Sequence, residues 1–391
     1  MTAVMSHRGP DQPGDRKRAA TVCDVCQTLF PCCFYRLHTK STSVAPPCFS
    51  CDDSNQYLHT SAAFRDGDYV SRGPVDVKMT SSNDEIVLIT GGSGFLGRAV
   101  LQKVRAGRLL APSHTELDLL RTEDVEHYLS RQKVRRIIHA AGFVGGIGLH
   151  KEHPGRMIAD NLRMGLNVLE SAARNGVEQV VIVSTVCVYP GNAMVPTPET
   201  EIFHGMPADD TAGYGIAKRT LLTLAEGLHA EFGLQYTYVI PTNMYGPGDY
   251  FEESRSHVVS ALLRRAMMAR DKGGREMVVW GDGRSTRDFV FVDDVAMAIV
   301  ACLQTKAYCQ VFNVGSGREV SIQELAEMIC DIVGFKGELR WDTEKPNGAR
   351  RRALDTTRLK QVLGMEMKTG LREGLQATVQ WMEENRVVAA R

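Results

Sequence analysis

The chain has 391 residues, 43% of them hydrophobic, and its 46 Lys and Arg residues balance its 46 Asp and Glu residues. Such a chain can bury one large or two medium cores, and zero net charge argues against nucleic acid or an anionic membrane surface as a partner. No apolar run approaches the ~20 residues of a membrane span and the N-terminus lacks a signal-peptide core, so we expect a soluble cytoplasmic protein.

Residues 1–84 differ in composition from the rest of the chain. They hold clusters of Pro, Ser, Asp and Arg and no sustained helical or strand period, which predicts a mostly disordered extension. Two C-x-x-C pairs within it, Cys23 with Cys26 and Cys48 with Cys51, could together supply four thiolates to a zinc ion. A Cys-Cys pair and few strand signals separate them, so we favour reduced thiols without metal.

From Glu85 onwards, strand patterns alternate with helical patterns. The apolar strand patterns are IVLIT (86–90), RIIHAA (136–141), VVIVST (180–185) and YTYVIP (236–241), and helical patterns cover 160–176 and 214–233. This alternation predicts an α/β fold with a doubly wound, Rossmann-type parallel sheet that is covered on both faces. We place this domain over residues 85–245, with later segments returning to it. A smaller lobe takes up mainly residues 246–391 and includes a helix over 320–335.

The first strand pattern runs directly into the glycine-rich stretch GGSGFLGRAVLQKV (91–104). Glycines at such a turn let backbone N–H groups approach a pyrophosphate at the N-terminus of the following helix. The strand before the loop and the helix after it are the context that a dinucleotide-binding fingerprint requires. We therefore predict that the whole loop contacts the cofactor, through Gly91, Gly92, Ser93, Gly94, Phe95, Leu96 and Gly97.

The second strand pattern lies within RLLAPSHTELDLL (108–120) and has no acid well placed at its end. An acid there would bind the ribose hydroxyls of NAD. Its absence, with His114 close by, favours NADP(H) over NAD(H). Asp118 is either the contact of the adenine amino group or an exposed acid at the end of a strand.

Tyr214 and Lys218 in YGIAK lie four residues apart and therefore on one face of a helix. A tyrosine near neutral pH is a good proton donor only if its pKa falls below ~10, and we expect the Lys218 ammonium to lower it. Thr185, at the end of an upstream strand pattern, can donate a second hydrogen bond to the same substrate oxygen.

A glycine-rich loop, a strand-end Thr185 and a Y-x-x-x-K pair in this order resemble the extended short-chain dehydrogenase/reductase superfamily. Within it, HAAGFVGGIGLH (139–150), TVCVYP (185–190), IPTNMYGPGDYF (240–251) and VVWGDGRSTRDFVFVDD (278–294) resemble the GDP-L-fucose synthase family. Members of that family are GDP-4-keto-6-deoxymannose 3,5-epimerase/4-reductases. The resemblance runs from Glu85 to QWMEEN near the C-terminus.

This resemblance implies roles for individual residues. Thr185, Tyr214 and Lys218 would form the reductive triad, and Cys187 and His257 would exchange protons at the carbons that flank the ketone. The cofactor would also contact Ala140, Ala141, Val183, Ser184, Pro241, Thr242, Asn243, Met244 and His257. The GDP-sugar would contact Arg265, Trp280, Arg287 and Asn347, the last standing where the family often has Asp.

The chemistry of an epimerase suits a thiol and an imidazole. A C4 ketone acidifies the protons on C3 and C5, and inversion needs one group to remove a proton and another to deliver one. Ordinary pKa values of ~8.5 for Cys and ~6.5 for His are suitable without extreme tuning. Cys302, Cys309 and Cys330 lie in core-like patterns and are predicted to be structural. Arg350, Arg351 and Arg352 could meet phosphates, but a solvated basic turn is the favoured prediction.

Two other functions stay open. One is another nucleotide-sugar epimerase or reductase of the superfamily, although a 4,6-dehydratase is disfavoured because Val186 and Cys187 follow Thr185 where it would carry an Asp-Glu pair. The other is a non-catalytic binding protein on this fold. By analogy with the superfamily, we expect a homodimer formed through the helices that carry Asn161–Arg174 and Tyr214–Phe232.

Overall fold

The computed structural model describes residues 85–387, except residues 253–254, 306 and 346. The four candidate zinc ligands, Cys23, Cys26, Cys48 and Cys51, lie outside the described residues. Among the helices of the described part, none is long and apolar enough to cross a membrane.

A six-stranded parallel sheet forms the centre of the molecule. Its strands, in the order β2-β1-β3-β4-β5-β9, are β1 Ile86–Thr90, β2 Arg108–Leu110, β3 Arg136–His139, β4 Gln179–Val183, β5 Gln235–Pro241 and β9 Gln310–Val314. The strand order reverses at β1, which creates the crevice where ligands bind in open parallel sheets. The prediction of a Rossmann-type fold is confirmed.

Helices cover both faces of this sheet. They are α1 Phe95–Lys103, α2 Thr122–Gln132, α3 Ile147–Glu152, α4 Pro154–Arg174, α5 Ala212–Phe232, α7 Val292–Gln304 and α9 Thr357–Leu363. Helices α2, α4 and α5 pack on one face, around residues such as Leu169 and Leu221. Helices α1, α7 and α9 pack on the other, around residues such as Val100 and Ile299. Every residue of β4 is buried, as expected for a strand covered on both sides.

The C-terminal lobe is built around three further helices. They are α6 Val258–Asp271, α8 Ile322–Val333 and α10 Leu371–Glu384, and they share a core centred on Leu263, Leu325 and Leu375. The lobe's strands are β6 Asn243–Tyr245, β7 Glu276–Trp280, β8 Thr286–Phe291, β10 Glu319–Ser321, β11 Glu338–Asp342 and β12 Arg351–Arg352. Strands β6, β10 and β12 all pair with β8, and β7 pairs with β11.

Local sequence explains where α8 begins and ends. Ser321 accepts a hydrogen bond from the backbone N–H of Glu324, and the Glu324 carboxylate reaches back to Ser321, which is a capping box. Gly334 ends the helix in the left-handed conformation, with φ of 80°. By contrast, α4 begins at Pro154, earlier than the predicted residue 160, because proline is well suited to the first position of a helix.

Candidate active site

The glycine-rich loop is closely packed against the end of β3. Gly91 has φ of +73°, and a Cβ there would lie 2.7 Å from the Ala141 backbone nitrogen. A Cβ on Gly97 would lie 2.0 Å from the Gly91 carbonyl oxygen. Gly94 is the N-cap of α1 and offers no side-chain cap, so N–H groups of the first turn are available to an anion. The cradle therefore fits the pyrophosphate of a dinucleotide.

Replacing Gly97 with alanine is expected to lower the melting temperature and to weaken dinucleotide binding, because the new Cβ collides with backbone that cannot move independently. Gly227→Ala is the matched control, since a Cβ at this exposed position of α5 meets nothing within 4 Å. That change should raise the free energy of unfolding by about 0.5–1 kcal/mol. Thermal unfolding followed by circular dichroism measures the melting temperature of both variants. Equal melting temperatures for the two variants would contradict the close packing described here.

The turn after β2 carries the residues predicted to lie near the adenosine. His114 Nε2 is 3.6 Å from Asp118 Oδ1, which also accepts a hydrogen bond from the Leu120 N–H at 3.0 Å. Glu116 turns back to Ser113, whose backbone N–H and hydroxyl both donate to its carboxylate at 2.8 Å. These hydrogen bonds lower the pKa of Glu116. This acid therefore caps its own turn.

The end of β4 brings Thr185 and Cys187 to the crevice. Thr185 Oγ1 accepts a hydrogen bond from the Cys187 N–H at 3.2 Å and starts a short 3-10 helix over Val186–Val188. A Cβ on Gly215 would lie 2.2 Å from the Cys187 carbonyl oxygen, so this turn packs directly on α5. The Cys187 side chain is partly buried.

Tyr214 and Lys218 lie on the buried side of α5, facing the end of β4. Lys218 is 2% exposed and donates a hydrogen bond to the Val183 carbonyl at 2.9 Å. Its Nζ lies 5.9 Å from the centre of the Tyr214 ring. Burial lowers the pKa of Lys218 to about 8. The sequence prediction that these two side chains act together is compatible with this placement.

The predicted lowering of the Tyr214 pKa is wrong in this structure. The pKa of Tyr214 is raised, first by burial and then by the charge of a Cys187 thiolate. The cost of removing a phenolate from water outweighs attraction to Lys218, whose ammonium is engaged by the Val183 carbonyl. Tyr214 therefore keeps its proton near neutral pH and is a hydrogen-bond donor.

An imidazole that the sequence analysis did not single out lies next to Tyr214. His150, on α3, is 9% exposed and presents its ring edge-on to Tyr214, with centroids 5.8 Å apart. Burial, and then the charge of His257, lower the pKa of His150, while Asp210 raises it. His150 thus packs against Tyr214. Only the packing of α3 against α5 reveals it, since its position within a motif carries no chemical signal.

Several of the remaining predicted cofactor residues lie at the ends of the central strands or directly after them. Ala140 donates its N–H to the Thr90 carbonyl at 3.2 Å, which holds the end of β3 beside the glycine-rich loop. Pro241 ends β5, and Thr242 donates its N–H to the Val314 carbonyl at 2.9 Å. Asn243 begins β6, ahead of Met244, and donates from Nδ2 to the Asp288 carbonyl at 2.9 Å. Ser184 follows β4 and donates its hydroxyl proton to Tyr238.

Trp280 lies at the surface of the C-terminal lobe with 53% of its side chain exposed. The Arg265 guanidinium is 5.1 Å and the Lys345 ammonium is 5.6 Å from its ring centre. Asn347 lies nearby, and its Oδ1 accepts a hydrogen bond from the Asp282 N–H at 2.8 Å. This contact leaves Nδ2, a donor, as the free end of the Asn347 amide.

The prediction of a solvated basic turn at Arg350–Arg352 is wrong for Arg352, which is partly buried in a strand, whereas Arg351 lies in the same strand but is exposed and forms an ion pair with Glu319. Arg351 and Arg352 form β12, which pairs with β8 so that Arg352 lies opposite Arg287. Burial and then the charge of Arg352 lower the pKa of Arg287 to about 10. Two partly buried guanidinium groups side by side are suited to a phosphate or diphosphate. The pairing of distant strands brings Arg352 opposite Arg287, and no local pattern predicts that pairing.

Comparisons with known proteins agree with the Rossmann-type fold. Residues 87–315 match the model of the NAD dependent epimerase/dehydratase family. The chain is 36% identical over 313 residues to GDP-L-fucose synthase 1 of Arabidopsis thaliana, covering 79% of this chain and 97% of that protein. It is 33% identical over 299 residues to GDP-L-colitose synthase of Yersinia pseudotuberculosis, covering 75% of this chain and 97% of that protein. A crystal structure of a GDP-L-fucose synthetase from Naegleria fowleri bound to NADP superposes with a TM-score of 0.74 at 26% identity, covering 83% of this chain and all of that one.

Proposed function

The chain belongs to the NAD dependent epimerase/dehydratase family, and from this premise we propose that it is an NADPH-dependent epimerase/reductase that converts GDP-4-keto-6-deoxy-D-mannose to GDP-L-fucose. The resemblance to GDP-L-fucose synthases noted in the sequence motifs is confirmed. One observation carries the proposal: Tyr214 and Lys218 lie on α5, which packs directly on the turn that carries Cys187, and the His150 ring packs against Tyr214. Proton transfer and reduction can therefore share one pocket.

The glycine-rich loop and the crevice beside it would hold NADPH. The first turn of α1 would meet the pyrophosphate, and Lys218, next to the end of β4, would hold the nicotinamide ribose. When bound, the cofactor supplies the hydride that reduces C4. The NADP-bound synthetase from Naegleria fowleri supports NADP as the cofactor.

The C-terminal lobe would hold the GDP moiety. The exposed Trp280 ring offers a stacking surface for a base, between the cations of Arg265 and Lys345. Arg287 and Arg352 would bind the diphosphate. The Oδ1 atom of Asn347 already accepts a hydrogen bond from the Asp282 N–H, so the Nδ2 group of Asn347 would donate to the nucleotide.

The two proton-transfer residues would act before reduction. The C4 ketone acidifies the protons on C3 and C5, and Cys187 and His257 would remove and deliver them on opposite faces of the ring. Tyr214 would donate a hydrogen bond to the enolate oxygen during these steps. Because the pKa of Tyr214 is raised, its proton stays on the phenol until the C4 oxygen needs it during reduction.

Incubation with GDP-4-keto-6-deoxy-D-mannose tests the proposal. We expect oxidation of NADPH and formation of GDP-L-fucose, followed at 340 nm and by product chromatography. The chain also resembles a GDP-L-colitose synthase, so formation of GDP-L-colitose from the corresponding keto-sugar is assayed in parallel as the second candidate activity. No cofactor oxidation with either sugar would contradict the proposal.

Turnover is expected to fall as pH rises through about 8, because the pKa of Lys218 lies at about 8 and its ammonium is present only below it. Stability should change in the opposite direction. The pKa of an unfolded Lys is ~10.4, so between the two values the unfolded state binds more protons and the free energy of unfolding rises with pH. A pH profile of kcat/KM measures the effect on turnover, and thermal melts over the same pH range measure the effect on stability. Lys218→Arg, which keeps its charge, should remove the alkaline fall even if its activity is lower.

We also propose a cytoplasmic homodimer in which α4 and α5 pair with the same helices of a second copy. The supporting observation is that the two helices pack closely on each other, since a Cβ on Gly165 would lie 2.2 Å from a Leu221 methyl carbon, which makes them one rigid unit. Light scattering after size-exclusion chromatography would contradict the dimer if it showed a monomer at micromolar concentration.

A further inference from the structure

Arg98, the residue after the last glycine of the glycine-rich loop, connects that loop to a distant segment. One guanidinium nitrogen, Nη1, donates to the Ser93 carbonyl and the other, Nη2, donates to the Gly248 carbonyl, both at 2.5 Å. Gly248 has φ of +80°, and a Cβ there would lie 3.0 Å from Arg98 Nη2. Glycine at 248 thus permits both the backbone conformation and the close approach.

The segment that Arg98 holds leads directly to His257. Asp249, next to Gly248, is 7% exposed and accepts hydrogen bonds from the Tyr250 N–H at 2.7 Å and from the Ser260 hydroxyl. Ser260 lies in the first turn of α6, and His257 is the N-cap of that helix. The position of His257 therefore depends on the Asp249 carboxylate, which directly follows the Gly248 carbonyl that Arg98 contacts.

A second contact joins the same two segments. The Tyr250 hydroxyl lies 4.0 Å from the position that a Cβ on Gly94 would occupy. Arg255 covers the other side of Tyr250, with its guanidinium carbon 3.9 Å from the ring centre. Gly248 is thus joined to Ser93 through Arg98, and Tyr250 lies close to Gly94.

We propose that Arg98 is a positioning residue that couples occupancy of the dinucleotide loop to the placement of His257 for proton transfer. The inference rests on the proposed function, because it assumes that His257 exchanges protons with the sugar. A cofactor that orders Ser93 and Gly94 would also order Gly248 and, through Asp249 and Ser260, the start of α6. A misplacement of about 1 Å in a reacting group can cost roughly a hundredfold in rate, so a small shift is sufficient.

The bridge from Arg98 to two carbonyl oxygens requires an arginine at this position. A planar guanidinium can donate to two carbonyl oxygens at once in a fixed arrangement, whereas the ammonium of lysine is a single flexible point charge. Arg98→Lys should therefore lose most of the coupling although it keeps the positive charge.

The test measures exchange of solvent deuterium into C3 and C5 of the keto-sugar with and without saturating NADP⁺, which cannot supply a hydride. For the wild-type enzyme we expect NADP⁺ to raise the exchange rate by roughly ten- to a hundredfold. In Arg98→Met the basal exchange should persist while this stimulation is lost. Arg105→Met is the matched control, because within the described part of the chain Arg105 donates only to the nearby carbonyls of Gln102 and Val104, and this variant should keep the full stimulation. Titration of NADP⁺ establishes saturation for each variant.

Three outcomes would count against the coupling. The coupling would be overturned if the exchange rate of the wild-type enzyme were the same with and without NADP⁺. It would also be overturned if NADP⁺ stimulated exchange equally in Arg98→Met and Arg105→Met. Equal stimulation in Arg98→Lys and the wild type would overturn the requirement for a two-donor bridge. Absence of exchange in the wild-type enzyme under every condition would instead contradict the proposed function itself, and the coupling with it.

Discussion

Replacing Cys187 with serine is expected to slow exchange of solvent deuterium into the sugar by about 10²–10⁴-fold, the usual contribution of a general acid or base. A thiol is a much stronger acid than an aliphatic hydroxyl, so a serine cannot replace it in carrying or releasing a proton. The fold should be unaffected. The contact that anchors this residue runs from its backbone N–H to Thr185, and serine keeps it.

Cys309→Ser is the matched control for this prediction. Cys309 is also a partly buried free thiol, but it lies before β9 and donates to the Gln235 side chain at 3.6 Å, away from Tyr214. Its substitution should leave exchange unchanged. Mass spectrometry of the recovered sugar gives the deuterium content, and exchange at the wild-type rate in Cys187→Ser would exclude the thiol from proton transfer.

Replacing Tyr214 with phenylalanine is expected to lower the rate of NADPH oxidation by about 10²–10⁴-fold. The substitution removes the proton that the C4 oxygen receives during reduction. The aromatic ring, and with it the edge-on contact to His150, would remain. Deuterium exchange should fall as well, because the enolate oxygen loses its hydrogen-bond donor, but Cys187 and His257 would still be in place.

Tyr236→Phe serves as the control for this second variant. Tyr236 is buried to a similar extent, at 5% exposed against 9% for Tyr214, and it lies near the start of β5, away from the end that borders the crevice. The Tyr236→Phe variant should oxidise NADPH at the wild-type rate. Stopped-flow absorbance at 340 nm measures the single-turnover rate of NADPH oxidation. If this rate fell only a few-fold in Tyr214→Phe, Tyr214 would not be the proton donor.

The largest difference between prediction and structure concerns the pKa of Tyr214. Four-residue spacing places Tyr214 and Lys218 on one helix face, and the sequence predicts that the ammonium lowers the pKa of the phenol. In the structure burial raises it. How deeply a helix face is buried depends on the strands and loops packed against it, and these come from distant parts of the chain.

Features that depend on neighbours along the chain could be predicted from the sequence. The strand, glycine-rich turn and helix from Ile86 to Lys103 form one contiguous unit, and alternating strand and helix patterns determine a parallel sheet. The spacing of Tyr214 and Lys218 is a property of any α-helix. These signals rest on backbone geometry and on local hydrophobic periods, which each segment carries by itself.

Features that depend on partners far apart in the chain were decided only by the tertiary structure. Arg98 meets the Gly248 carbonyl across 150 residues, β12 brings Arg352 opposite Arg287, and α3 brings His150 to Tyr214. The same residue types occur at many exposed positions without such partners, so the sequence holds no sign of these contacts. Their chemistry arises from burial and from proximity, and both are properties of the packed fold.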